Sequence, residues 1–233
     1  MNLLDINPSP LYDVVVPSTK KKIKFRPFVV KEERALLAAE ASEDPVVMMN
    51  TLIQIVKNCT SPEQTNLTNF DFEYLFVQIR TKSVDEFSRL AFKCDDCKDV
   101  SVNVEMDLRQ TYVKFPPEGK DIKLSDELAV TMRWLSVDEI VDIETNNQPE
   151  DVKFKAVCSS IETVFYKDQT IEIDETTKSS VETFVGRLNN KQFSALEKFI
   201  DEQPSVRLDV KYRCPSCKKE HQKTLEGLSS FFF

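Results

Sequence analysis

Four of the six cysteines form two CxxC pairs, Cys94/Cys97 and Cys214/Cys217, and no other feature constrains the fold of this chain as strongly. A two-residue spacer lets both thiolates of a pair turn toward one ion. Two such pairs supply the four soft ligands of a closed, tetrahedral structural site. The settings match: FSRLAFKCDDCKDVSVNV (87–104) and VRLDVKYRCPSCKKEHQKTL (206–225) each bring an alternating strand into CxxC and lead an extended run away from it. The expected ion is a structural zinc, and the same shell also suits iron. Redox pairs usually open a helix, which lowers the attacking thiol's pKa; both of these pairs follow strands. With 116 residues between Cys97 and Cys214, a shared ion would clasp distant parts of the chain. Four thiolates complete the shell, so His221 is read as a surface residue, and Cys59 and Cys158 as small buried ones.

Two scarcities narrow the function. The three glycines, Gly119, Gly186 and Gly227, are far apart, whereas phosphate-cradling loops need them clustered. The single histidine, His221, leaves no His-rich catalytic metal centre and only one residue on which to build a Ser-His-Asp triad. No catalytic residue, cofactor-binding residue or small-molecule substrate is therefore expected. A net charge of −8 argues against a global nucleic-acid footprint. The N-terminus lacks the order of a signal peptide and no apolar run is long enough to span a membrane, which predicts a cytoplasmic protein without membrane insertion.

Along the chain, Leu11 to Val16 and Lys22 to Arg26 read as a hairpin around Pro17-Ser18-Thr19-Lys20. Helices are predicted over VVKEERALLAAEA, from Asp44-Pro45 through VVMMNTLIQIVKNC, and from about Thr68 to Lys82, the last with Phe72, Leu75, Phe76 and Ile79 on one core-packed face. After the first CxxC, LAVTMRWL reads as a strand and Ser136 with Glu139 as a capping box. Helices then follow over Glu150 to Ser160, Lys178 to Leu188 and Lys191 to Glu202, with a hairpin at IETVFYKDQTIEI. The expected class is α+β: a zinc-ribbon-like four-cysteine site joining the N- and C-terminal parts, with a mixed α/β insertion between the two knuckles. A single domain over 1–233 is expected. Its ribbon halves lie at about 86–105 and 205–226, its N-terminal hairpin and helices at 11–82, and the insertion at about 106–204.

The knuckles carry opposite charge. Asp95, Asp96 and Asp99 mark the first; Lys211, Arg213, Lys218, Lys219 and Lys223 mark the second. Brought together, they would attract one another. The basic loop also raises the alternative of a zinc-ribbon nucleic-acid-binding protein, against which stand the overall charge and the lack of interleaved aromatics beyond Tyr212.

Three further stretches carry a resemblance to a known family. YDVVVPSTKKKIKFRPFVVKEERALLAAE (12–40) resembles its opening hairpin, Arg-Pro-Phe step and charged helix. NNKQFSALEKFIDEQPSVRLDVKYRCPSCKKEH (189–221) resembles its helix-Pro-strand-CxxC unit, and LEGLSSFFF (225–233) its aromatic ending. The middle, about 105–190, is similar only in general character. The family is the baseplate hub and hub-assembly proteins of T-even-type contractile-tailed phages. The resemblance implies a non-enzymatic hub component or assembly factor, whose partners are other baseplate and hub proteins, placed in the virion tail or in the host cytoplasm during assembly. The apolar ending either folds onto the core or docks into such a partner; Leu228, Phe231, Phe232 and Phe233 are the candidate docking residues.

Overall fold

Alternating YDVV and KIKF segments close an antiparallel hairpin, β1 (Tyr12–Val15) and β2 (Lys22–Phe25), because every second side chain can then reach the interior. The computed structural model describes residues 9–64, 66–97, 100–117, 119–174 and 176–232. After β2 come α1 (Val30–Ala41) and α2 (Pro45–Cys59). The Asp44 carboxylate caps α2 by accepting the amides of Val46 and Val47, and Pro45 occupies the first turn, where its missing N–H costs nothing. The two-residue strand β3 (Thr60–Ser61) adds to the hairpin in the order β1-β2-β3.

The helix α3 (Asn69–Ser83) departs from the expected single buried face. Phe72, Leu75, Phe76 and Ile79 are buried, but so are Phe70, Asp71, Val77 and Thr81. The reason is packing on two sides: α2 on one, strands and a 3-10 turn introduced below on the other. Asp71, at the N-terminal end of α3, accepts hydrogen bonds from the Ser18 amide (2.9 Å) and the Ser18 and Thr68 hydroxyls, so the β1–β2 turn is tied to this helix. The Arg-Pro-Phe step is similarly fixed: Arg26 pairs with Glu32 at 2.8 Å and the Phe28 amide donates to Ser83 Oγ at 2.9 Å.

Two strands, β4 (Phe87–Lys93) and β5 (Ser101–Asp107), then pair antiparallel, and a 3-10 turn (Leu108–Gln110) leads to β6 (Tyr112–Lys114). The described residues divide into two compact units, Phe115–Pro204 forming one and the rest of the chain the other. Residues 106–114 complete β5, the 3-10 turn and β6 of the latter unit.

The inserted unit contains β7 (Asp121–Lys123), β8 (Leu128–Met132), α4 (Val137–Asn146), α5 (Pro149–Ser160), β9 (Ile161–Tyr166), β10 (Gln169–Glu172), α6 (Lys178–Val185) and α7 (Asn190–Asp201). Its antiparallel sheet runs β10-β9-β8-β7. Val130, Met132, Val157, Val164, Val181 and Leu196 meet in its core. The Ser136/Glu139 capping box is present, and Glu139 also takes a forked pair of bonds from Arg133 at 2.9 and 2.6 Å.

The chain re-enters the first unit in β11 (Ser205–Arg213), pairs with β12 (Glu220–Glu226) and ends in α8 (Ser229–Phe232). β11 lies between β12 and β6, with Ser205 opposite Lys114, so the insertion leaves and returns at one paired position. Val77, Val104, Met106, Leu108, Val206, Leu208, Val210, Tyr212 and Phe231 form one buried cluster. The architecture is α+β, and no helix among the described residues is long and apolar enough to cross a membrane.

Candidate metal centre

Each CxxC sits at the tip of a hairpin. β4 and β5 stay in register to Lys93↔Ser101, and β11 and β12 to Arg213↔Glu220, so Cys94 and Cys214 are the first residues beyond paired strands. The turns close on themselves. The Cys94 amide donates to the Val100 carbonyl (2.9 Å) and the Val100 amide to the Cys97 carbonyl (2.7 Å). In the second turn the Cys214 amide donates to the Lys219 carbonyl and the Lys218 amide to the Cys214 carbonyl, both at 3.0 Å.

The packed hairpins bring the tips together. The Sγ atoms of Cys94, Cys97, Cys214 and Cys217 all lie within 4.8 Å of one another, and Cys94 Sγ is 3.8 Å from Cys217 Sγ. Four thiolates at zinc–sulfur bonds of about 2.3 Å define a tetrahedron with edges of about 3.8 Å. The spacing thus suits a metal of that size. Cys94 and Cys214 are buried, Cys97 and Cys217 half-buried.

Turn amides face the sulfurs. Those of Cys97 and Asp96 hydrogen-bond the Cys94 sulfur, those of Cys217 and Ser216 the Cys214 sulfur, and that of Lys219 the Cys217 sulfur. Burial pushes the Cys94 thiol up. The Cys217 amide, with that of Ser216, outweighs burial at Cys214 and holds its thiol down to about 7. Among the described residues no helix begins at either CxxC, unlike the usual helix-opening redox pair. Cys59 and Cys158 are buried and raised by desolvation to about 11 and about 12, as inert packing residues would be.

Opposite charges meet across the tips: Lys219 Nζ lies 2.7 Å from Asp96 and Lys223 Nζ 3.3 Å from Asp95. Asp99 lies outside the described residues.

The surface placement expected for His221 is not what the structure shows. Its side chain is only 10% exposed, it stacks on Tyr212 with ring centroids 5.2 Å apart, and its Nε2 lies 3.3 Å from Cys94 Sγ. Cys94, Asp96, Cys217 and His221 consequently form a second group of closely spaced donors, sharing two cysteines with the first. A period-2 reading of β12 was the available signal. His221, Lys223 and Leu225 alternate on the less exposed side of the strand, and Leu225 packs on the core cluster.

At the C-terminus, Phe231 is fully buried in the core cluster and Leu228 packs against it. The Ser88 hydroxyl donates to the Phe231 carbonyl at 2.9 Å. Of the two alternatives, folding onto the core is thus the arrangement of Phe231, which has no surface to offer a partner. The Phe232 side chain and Phe233 lie outside the described residues.

A family model described as the T4 bacteriophage base plate protein matches residues 9–233. The baseplate hub assembly protein gp26 of Enterobacteria phage T4 is 24% identical over 222 residues, covering 95% of this chain and 96% of that protein. No solved structure matches. With nearly its whole length matched, from the opening hairpin to the aromatic ending, the chain belongs to the T4 bacteriophage base plate protein family.

Proposed function

We propose that this protein helps to build the central hub of a contractile-tail baseplate, without catalysing a reaction, and that a structural zinc on Cys94, Cys97, Cys214 and Cys217 holds its fold. The observation that carries the reading is similarity over almost the entire chain to a baseplate hub assembly protein. Its partners are then other baseplate and hub proteins, met in the host cytoplasm during assembly and in the virion baseplate.

The donor set supports zinc: four thiolates, no free position, and amides aimed at the sulfurs. The ion's part is structural. It ties the β4–β5 tip to the β11–β12 tip, which an insertion separates along the chain. Iron fits the same ligands, and elemental analysis of the purified protein separates the two metals. Nucleic-acid binding is the weaker reading, because Lys219 and Lys223 are already engaged by Asp96 and Asp95.

The decisive experiment removes the gene from its phage and follows baseplate intermediates by sedimentation. Loss of the central hub is expected, restored by the gene in trans; normal hubs in its absence would refute the proposal. Mass analysis of mature particles assigns the role: the chain's presence marks a hub component, its absence together with hub loss an assembly factor.

A further inference from the structure

His221 stands beside the cysteine cluster with its side chain only 10% exposed. It lies on β12 directly opposite Tyr212 on β11, and the Tyr212 ring is itself stacked on Phe92 of β4 at 5.5 Å. The three rings form a short column from β4 across β11 to β12, so the imidazole is held by packing on its face. Its edge points at the cysteine cluster. Nε2 is 3.3 Å from Cys94 Sγ, within reach of an N–H···S bond, but 3.9 Å from Asp96 Oδ2, too far for an N–H···O bond. Nδ1 faces Asp95 Oδ2 at 3.8 Å.

Four thiolates around a divalent ion leave an excess of negative charge, and in a half-buried site that charge needs hydrogen-bond donors. The turn amides supply some of them. Cys94 is buried, and its sulfur has the His221 Nε2 within hydrogen-bonding distance.

We propose that His221 is a positioning residue of the metal centre: its Nε2–H donates to the Cys94 thiolate, holds that ligand in place and slows release of the ion. The inference rests on the zinc reading above and goes beyond it, since His221 completes the surroundings of a four-thiolate site without being a ligand.

Three forms of the full chain test this: wild type, His221→Phe and His221→Gln. Phenylalanine preserves the stack on Tyr212 and removes the donor; glutamine keeps a side-chain N–H. Cobalt(II) loading reports the ligand set, and transfer of zinc to a chromophoric chelator reports release. The expected result is a four-thiolate cobalt spectrum in all three, with zinc lost roughly 10- to 100-fold faster from His221→Phe and partial recovery in His221→Gln. Long-range ¹⁵N spectra of the zinc-loaded wild type should show a protonated Nε2 protected from exchange.

Failures at the two levels differ. A wild-type chain that takes up neither cobalt nor zinc removes the zinc reading and this inference together. A four-thiolate spectrum with equal release rates from wild type and His221→Phe overturns the positioning role alone. A wild-type cobalt spectrum of three thiolates and one nitrogen, lost in His221→Phe, overturns it in favour of direct ligation.

Discussion

The carboxylate of Glu73, in the second turn of α3, accepts a hydrogen bond from the backbone amide of Leu228 just beyond β12. Between β12 and Leu228 stands Gly227 with φ of +76°, and a Cβ there would lie 3.8 Å from Glu73 Oε1. Glycine suits this turn because the left-handed region strains other residues. The last stretch of chain is thus latched to α3 by a carboxylate and then buried through Phe231.

That latch titrates. Burial pushes the Glu73 carboxyl up to about 7, while the Leu228 amide and the Asn69 side chain pull it down. The folded value lies above the ordinary one, so the native state binds more protons than the unfolded chain between the two. Its stabilising contribution is full below about pH 4.5 and is lost as pH rises through about 7, an effect on the order of 3 kcal/mol. Glu73→Gln keeps an acceptor for Leu228 and removes the titration. The variant should gain stability relative to wild type between pH 5 and pH 8 in denaturant unfolding. Parallel pH profiles for the two proteins would contradict this.

Phe231 fills the core between the β4–β5 and β11–β12 hairpins. Truncation to alanine should cost about 3–5 kcal/mol, since the surrounding strands cannot collapse into the space. Chemical denaturation of Phe231→Ala measures it directly. A loss below about 1 kcal/mol would mean the ring is not packed as described.

Replacing Cys94 or Cys214 by serine substitutes a hard oxygen for a soft sulfur in the shell. Each variant should purify with less than one zinc per chain and unfold at lower temperature, and a strong chelator should lower the wild-type midpoint toward theirs. An unchanged midpoint after complete metal removal would show that the clasp carries no folding energy.

Ser136 caps α4 through the Glu139 amide, and Glu139 returns a bond to the Ser136 amide. Ser136→Ala should destabilise this helix by about 1 kcal/mol. Hydrogen exchange should quicken at the first-turn amides of α4 while α7 stays protected; an unaltered pattern would remove the cap from the account.

Much of this molecule is legible residue by residue, where the determinants are local. The Asp44-Pro45 start, the Ser136/Glu139 box and the alternation of β11 are written within a few residues of the elements they set. The geometry of each cysteine pair is equally local, because a CxxC turn needs only its own spacer to point two sulfurs one way. Long-range neighbours are different. Cys94 meets Cys217 across 123 residues and Ser88 meets Phe231 across 143, and no periodicity encodes such distances. Whether α3 is buried on one side or two, whether Phe231 faces inward, and whether His221 turns toward Cys94 depend on how whole hairpins pack. Residue order along the chain is enough to pick out the four cysteines and the strands that lead into them. That the histidine beside them faces the cluster is a matter of packing, because it depends on a stack of rings drawn from three strands.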